Sequence, residues 1–292
     1  DLLGDDDLVE SARTIAGRTT AGDVAADENL DVMAGSAGQL LAQLAVYERT
    51  GDEAALERAR WCGDRLLDAT TETEAGYRVP TSEDGDRRFA FAHGVGGIGY
   101  ALVKLGAVTG EETYASVGRD ALRFDAELWR RDGELPEREE ASDDAGDGEG
   151  NESETATVWG WCNGVAGVGT SRVAVADSMD DERVGDLSVL REDLRPEPSL
   201  EDSLCCGSVG RALFLLDAGE VFEDPSLAER GEALFRRTLD RAEREGRLRL
   251  SNHLPMLPRL GLFTGVAGVG YVALRLEARG TDVELPNVTR LE

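Results

Sequence analysis

The sequence predicts an all-α protein in which apolar inner helices alternate with amphipathic outer helices around a common centre. Three observations lead there. One short Gly-x-x-Gly pattern occurs five times, and each copy is followed by an apolar stretch of helical length. The segments between carry charge on one side and spaced apolar residues on the other. Runs that combine β-branched and aromatic residues at period two are few, so strands find little support.

The five copies are AGSAG at 34–38, HGVGG at 93–97, NGVAG at 163–167, CGSVG at 206–210 and TGVAG at 264–268. Their first glycines, at 35, 94, 164, 207 and 265, are separated by 59, 70, 43 and 58 residues. Such intervals hold two helices and a loop of variable length, and their irregularity excludes a tight solenoid. The inner helices are predicted at QLLAQLAVYERTG, IGYALVKLGAVTG, VGTSRVAVADS, RALFLLDAG and VGYVALRLEARG. EAALERARWCGDRLLDA and SLAERGEALFRRTLDRAERE are the clearest outer helices. Glycine at the head of an inner helix allows close backbone approach and unusual dihedrals in the turn that enters it. The acidic, low-complexity segment 132–157 is expected to be a disordered insertion within one domain spanning residues 1–292.

Composition narrows the function classes. Asp and Glu number 59 against 31 Lys and Arg, for a formal charge of −28, and Lys104 is the only lysine. A surface so negative repels phosphate backbones, and no basic stripe is present, so nucleic acid is excluded as a partner. An acidic, solvated surface fits a halophilic environment. No stretch approaches the roughly 18 apolar residues of a membrane span, and the opening DLLGDDDLVE is acidic where a signal peptide would be basic, so a cytoplasmic location is expected. Four cysteines in 292 residues are too few for a disulfide framework, and in a reducing compartment they point to metal binding or catalysis.

The chemistry collects at the two positions before each first glycine. These hold Met33 and Ala34, Ala92 and His93, Cys162 and Asn163, Cys205 and Cys206, and Phe263 and Thr264. Ten positions thus contain three of the four cysteines and one of the two histidines. If the inner helices form a ring, equivalent positions share one layer at one end of it, and the thiols of Cys162, Cys205 and Cys206 converge. Three thiolates with a fourth position open are a ligand set for catalytic zinc. His93 is acid–base beside the metal, a fourth ligand that closes the site, or a partner in a structural hydrogen bond. Cys62, in an outer helix, reads as a buried structural thiol, and His253 as a loop residue.

WCNGVAG at 161–167, CCG at 205–207, FAHGVGG at 91–97, DVMAGSAG at 31–38 and GLFTGVAGVGY at 261–271 together resemble the lanthionine synthetase C-like cyclases. The similarity is greatest to the cyclase half of bifunctional class II lanthipeptide synthetases. It covers Asp31 to the C-terminus and implies an α/α toroid, or double α-barrel, of seven helical hairpins. Five glycine motifs are present, so two hairpins are expected N-terminal to residue 1. The resemblance also implies Zn²⁺ held by Cys162, Cys205 and Cys206, with cysteine at 206 where many members have histidine. It matches His93 to the family's acid–base histidine and Asp31 to an active-site aspartate. Asn163 departs from the Tyr or His often found there.

The implied reaction is intramolecular Michael-type addition of a peptide cysteine to dehydroalanine or dehydrobutyrine, which forms (methyl)lanthionine. The implied partner is a precursor peptide with dehydrated Ser/Thr and free Cys, and a dehydratase region of a longer chain is expected upstream. The alternative is a zinc-stabilised peptide-binding or scaffold domain without turnover. An open coordination position separates the two.

The charge balance makes one prediction independent of any site. Because the acidic groups repel one another most where screening is weak, the thermal midpoint should rise from dilute buffer to molar KCl. Equal midpoints by differential scanning calorimetry would refute halophilic adaptation.

Overall fold

The computed structural model describes residues 6–80, 91–132, 160–162, 164–176, 201–250, 259–283 and 285–290. Of the insertion expected at 132–157, Asp132 instead ends a helix, and 133–157 lie outside the described residues, as do Asn163 and His253.

Each glycine motif opens a helix at the predicted place. These inner helices are α3 (Ser36–Thr50), α5 (Val95–Thr109), α7 (Val165–Val175), α8 (Ser208–Val221) and α10 (Val266–Ala278). Outer helices α4 (Glu53–Asp68), α6 (Glu112–Asp132) and α9 (Pro225–Glu245) fold back on α3, α5 and α8 as antiparallel hairpins. The first two hairpin turns end the inner helix with left-handed Gly51 (φ 67°) and Gly110 (φ 73°), a conformation costly for a residue with a Cβ. Asp52 and Asp224 then cap α4 and α9 through their side chains. Two further helices, α1 (Asp6–Ala16) and α2 (Ala21–Ala25), precede the first hairpin and contact α3 and α4 respectively.

Successive inner helices pack on one another in chain order: α3 on α5, α5 on α7, α7 on α8, and α8 on α10. The burial of α5, α7 and α8 follows from this, because each has an inner neighbour on both sides. All of α7 from Val165 to Val175 is buried apart from the half-exposed Ala174. In α10 only Gly268, Val269 and Val272 are buried, and Val266 and Leu274 are exposed. The two larger core clusters among the described residues are built mainly on α3 to α6 and on α7 to α10, with Phe263 packed against both, and a small third one joins Val79, Val95 and Leu128.

The sequence left no strands, yet a short antiparallel pair forms after α4. Strands β1 (Thr70–Glu72) and β2 (Arg78–Pro80) pair Thr71 with Val79 and lie against α6, where Val79 is fully buried and Arg78 meets Asp120. Three-residue strands carry too little periodicity to be read from a sequence.

The glycines also act differently from the expectation of unusual dihedrals. The first glycine of every motif is extended, with φ between −110° and −154°, as any residue can be. What excludes a side chain is contact. A Cβ on the second glycine, at Gly38, Gly97, Gly167, Gly210 or Gly268, would lie 1.9 to 2.2 Å from the carbonyl oxygen six residues earlier. The turn is folded tightly under the first turn of its own helix, and only hydrogen fits between.

Two alanine substitutions distinguish the crowded glycines from the open ones. A Cβ at Gly210 would sit 2.0 Å from the Leu204 carbonyl, so Gly210→Ala should destabilise by about 3 kcal/mol or more in urea unfolding. A Cβ at Gly270, in α10, meets nothing within 4 Å, so Gly270→Ala should leave stability unchanged or raise it by about 0.5 to 1 kcal/mol.

Candidate metal centre

The turns that enter the inner helices are joined edge to edge by backbone hydrogen bonds. Counting from each first glycine, the acceptor is always the carbonyl two residues before it. Met33 N–H donates to Ala92 O (3.3 Å), His93 to Cys162 O (3.4 Å), Trp161 to Cys205 O (2.7 Å) and Cys205 to Phe263 O (2.8 Å). These four bonds run in one direction around the arc. They hold equivalent residues of five turns, 230 residues apart at the extremes, in a single layer.

Cys162, Cys205 and Cys206 meet in that layer. Their sulfurs lie within 4.8 Å of one another, with Cys162 Sγ 3.1 Å and Cys205 Sγ 3.4 Å from Cys206 Sγ. Cys162 is buried and the other two are half-buried. Gly160 makes room for them, since a Cβ there would come within 3.0 Å of Cys206 Cα and 3.1 Å of Cys205 O. Trp161 closes the layer beneath, stacked on Phe263 at 4.8 Å, against Phe91 at 5.5 Å, and donating from Nε1 to Thr289 O.

These thiols fit a zinc ion by chemistry as well as distance. Tetrahedral zinc with bonds of about 2.3 Å separates its sulfurs by about 3.8 Å, so the 3.1 and 3.4 Å pairs would open by less than about 1 Å to hold it. Without a cation three thiolates this close repel one another. The Cys205 thiol is pushed up to about 12, first by its hydrogen bond with Cys162 and then by burial. Cys206 is driven up as well, by its bonds with both partners and by burial. A divalent cation reverses that balance. Among the described residues no histidine or carboxylate joins the sulfur group.

His93 stands on the neighbouring turn. Its Nδ1 lies 2.9 Å from Asp31 Oδ2, across 62 residues of sequence. Asp31 is itself pinned, because Oδ1 accepts the Ala34 N–H at 2.7 Å. With the Asp31 carboxylate as acceptor, Nδ1 is the donor of this pair. The His93 side chain is 38% exposed, open enough to meet a ligand. Cys62 is elsewhere, fully buried in α4, where burial and then Asp27 raise its thiol to about 12. Gly160, Trp161 and the Phe263 carbonyl also build the site and were not singled out in the sequence. Their signal was there in the repeat register, at fixed offsets from the motif glycines.

Hairpins of inner and outer helices whose entering turns form one thiol-bearing layer define a helical toroid with a metal-type centre at one end. The chain belongs to the lanthionine synthetase C-like protein family, whose family model matches residues 1–289. A solved structure named nisin cyclase is similar in fold, an α/α toroid, with a TM-score of 0.58 and 14% identity over 92% of this chain and 68% of that one. No curated protein sequence matches this chain. Among the described residues no helix is long and apolar enough to cross a membrane.

Labelling would report the centre directly. In metal-free folded protein, excess iodoacetamide at pH 9 should slowly modify the half-buried Cys205 and Cys206 and spare the fully buried Cys62, and zinc should suppress the labelling. Because binding displaces thiol protons, zinc affinity measured by chelator competition should fall about tenfold or more for each pH unit below 8. A flat profile would exclude thiol donors.

Proposed function

We propose that this chain is a zinc-dependent lanthipeptide cyclase, joining a cysteine thiol of a precursor peptide to dehydroalanine or dehydrobutyrine of the same peptide. The observation that carries the reading is the single layer holding three convergent thiols next to a carboxylate-oriented histidine. Family membership and a structural neighbour named as a cyclase support the same reaction class.

Cys162, Cys205 and Cys206 would hold the metal, and zinc held there supplies a Lewis acid that ionises the incoming thiol and keeps it beside the acceptor. The substrate thiol gives up its proton and its sulfur adds to Cβ of the dehydro residue. The electron pair of the carbon–carbon double bond then moves into an enolate. His93, as the imidazolium with its Nδ1–H on Asp31, delivers the Nε2 proton to Cα and is reprotonated by the proton that the substrate thiol released to solvent. Asp31 holds the ring through Nδ1 so that Nε2 is the nitrogen presented. Scaffold binding without turnover would require His93 to fill the fourth position. Its absence from the sulfur group and its engagement by Asp31 favour catalysis.

The partner in this reading is a precursor peptide carrying dehydrated Ser/Thr and free Cys. The likeness of the CCG run at 205–207 to bifunctional synthetases makes an upstream dehydratase region part of the proposal.

Metal analysis of protein purified without chelator should find about one zinc per chain. In the full-length protein, Cys206→Ala should lose zinc and cyclisation together, read as uncyclised peptide with alkylatable thiols. His93→Ala should keep zinc while turnover of dehydrated precursor falls by about 10²- to 10⁴-fold. Zinc loss in His93→Ala as complete as in Cys206→Ala would make the histidine a ligand and sink the catalytic assignment.

A further inference from the structure

Two adjacent cysteines can serve one metal only if the turn that carries them is held rigidly, because consecutive side chains on an extended backbone point apart. The fourth turn contains such a device. Ser203, fully buried, accepts the Cys206 backbone N–H on its hydroxyl at 3.2 Å. Its own proton goes to Glu201 Oε1 at 2.7 Å. A hydroxyl is free to rotate, and a donor bond to a carboxylate fixes its lone pairs toward the Cys206 N–H. The Ser203 carbonyl also accepts from Gly207 (3.0 Å) and Gly210 (3.4 Å).

Ser203 stands four residues before the first glycine of its motif, the same offset as Asp31. The two behave alike. Asp31 Oδ1 accepts the N–H of Ala34, which is equivalent to Cys206, and the Asp31 carbonyl accepts from Gly35 (3.1 Å) and Gly38 (3.2 Å). In these two turns the same repeat position therefore clamps the residue before the first glycine. In the first turn its spare oxygen orients His93. In the fourth turn its proton is spent on Glu201, which leaves the clamp aimed at a thiol.

We propose that Ser203, oriented by Glu201, is a positioning residue for the metal centre, setting the backbone of Cys206 so that its sulfur joins those of Cys162 and Cys205. Neither residue touches the metal or the substrate. The assignment rests on the zinc reading of the three thiols. Next to the pair, Asp202 is fully buried, ion-paired with Arg241 and accepting the Arg249 N–H at 2.7 Å. That contact anchors the turn to α9, so loss of the Ser203 hydroxyl should loosen one thiol without unfolding the turn.

The test compares the wild-type chain with Ser203→Ala, Ser203→Thr, Glu201→Ala and Glu201→Gln. Two readouts are needed. In metal-free protein, iodoacetamide modification of Cys206 relative to Cys205 by mass spectrometry should rise in Ser203→Ala and Glu201→Ala, with circular dichroism unchanged. Zinc affinity by chelator competition should weaken by about 10- to 100-fold in Ser203→Ala, and the sulfur-to-metal charge-transfer band of the cobalt-substituted protein should lose intensity. Ser203→Thr and Glu201→Gln, which keep the hydroxyl and an acceptor oxygen, should stay near wild type. Zinc affinity and Cys206 labelling unchanged within about twofold in both alanine variants would overturn the proposal while leaving the zinc reading intact. If Ser203→Ala fails to fold, the half-exposed Glu201 decides alone by the same criteria. Wild-type protein that binds neither zinc nor cobalt would overturn the zinc reading itself, and labelling of Cys206 would still report whether the clamp exists.

Discussion

The structure depends on a single repeated contact, the backbone hydrogen bond that passes from each helix-entering turn to the carbonyl two residues before the first glycine of the next. An N–H or C=O buried between packed turns must find a partner, and here each finds it in the adjacent repeat. The bond therefore does two things at once. It satisfies polar groups at the inner end of every hairpin, and it forces equivalent residues into one plane. The second glycine of each motif lets the plane exist, because a side chain there would strike the carbonyl of its own turn. Placement of the thiols is thus a property of the main chain, and the side chains inherit it.

Charge is arranged by the same economy. The chain has 31 basic residues against 59 acidic ones, and among the described residues several arginines are buried. Arg172, Arg211 and Arg241 are almost fully buried, and Asp202 and Asp217 are buried beside Arg241 and Arg275. Pairing is required there, since an isolated buried charge is far more costly than an exposed one. Asp217 is completed by Asn287 at 2.7 Å, which ties the last described segment to α8. Two carboxylates, Asp31 and Glu201, stand at the thiol layer, each held by a hydrogen bond to a neighbouring side chain.

That layer holds a chemical tension that suits a metal site. Hydrogen bonds among the sulfurs and burial keep the thiols protonated in the absence of a cation, so ionisation and metal capture are one event. The histidine is kept apart from the event by Asp31, which engages Nδ1 from the far side of the first turn. A metal-type group and an acid–base group can then occupy neighbouring turns without competing for each other.

Much of this was legible in the amino-acid order. Period and polarity marked inner and outer helices, since a buried stripe and a solvated face recur every 3.6 residues. The motif register put Cys162, Cys205, Cys206 and His93 at equivalent positions before any contact was known, and resemblance to a family added Asp31. Tertiary structure decided what short-range patterning cannot encode. The pairing of β1 with β2, the stacking of Trp161 on Phe263 and the clamp of Ser203 on Cys206 depend on atoms brought together by folding, and no periodicity announces them. Sequence alone left His93 between ligand, acid–base residue and structural hydrogen bond. Only folding brings Asp31, 62 residues away, to its Nδ1, because the orientation of an imidazole is set by its partner in space.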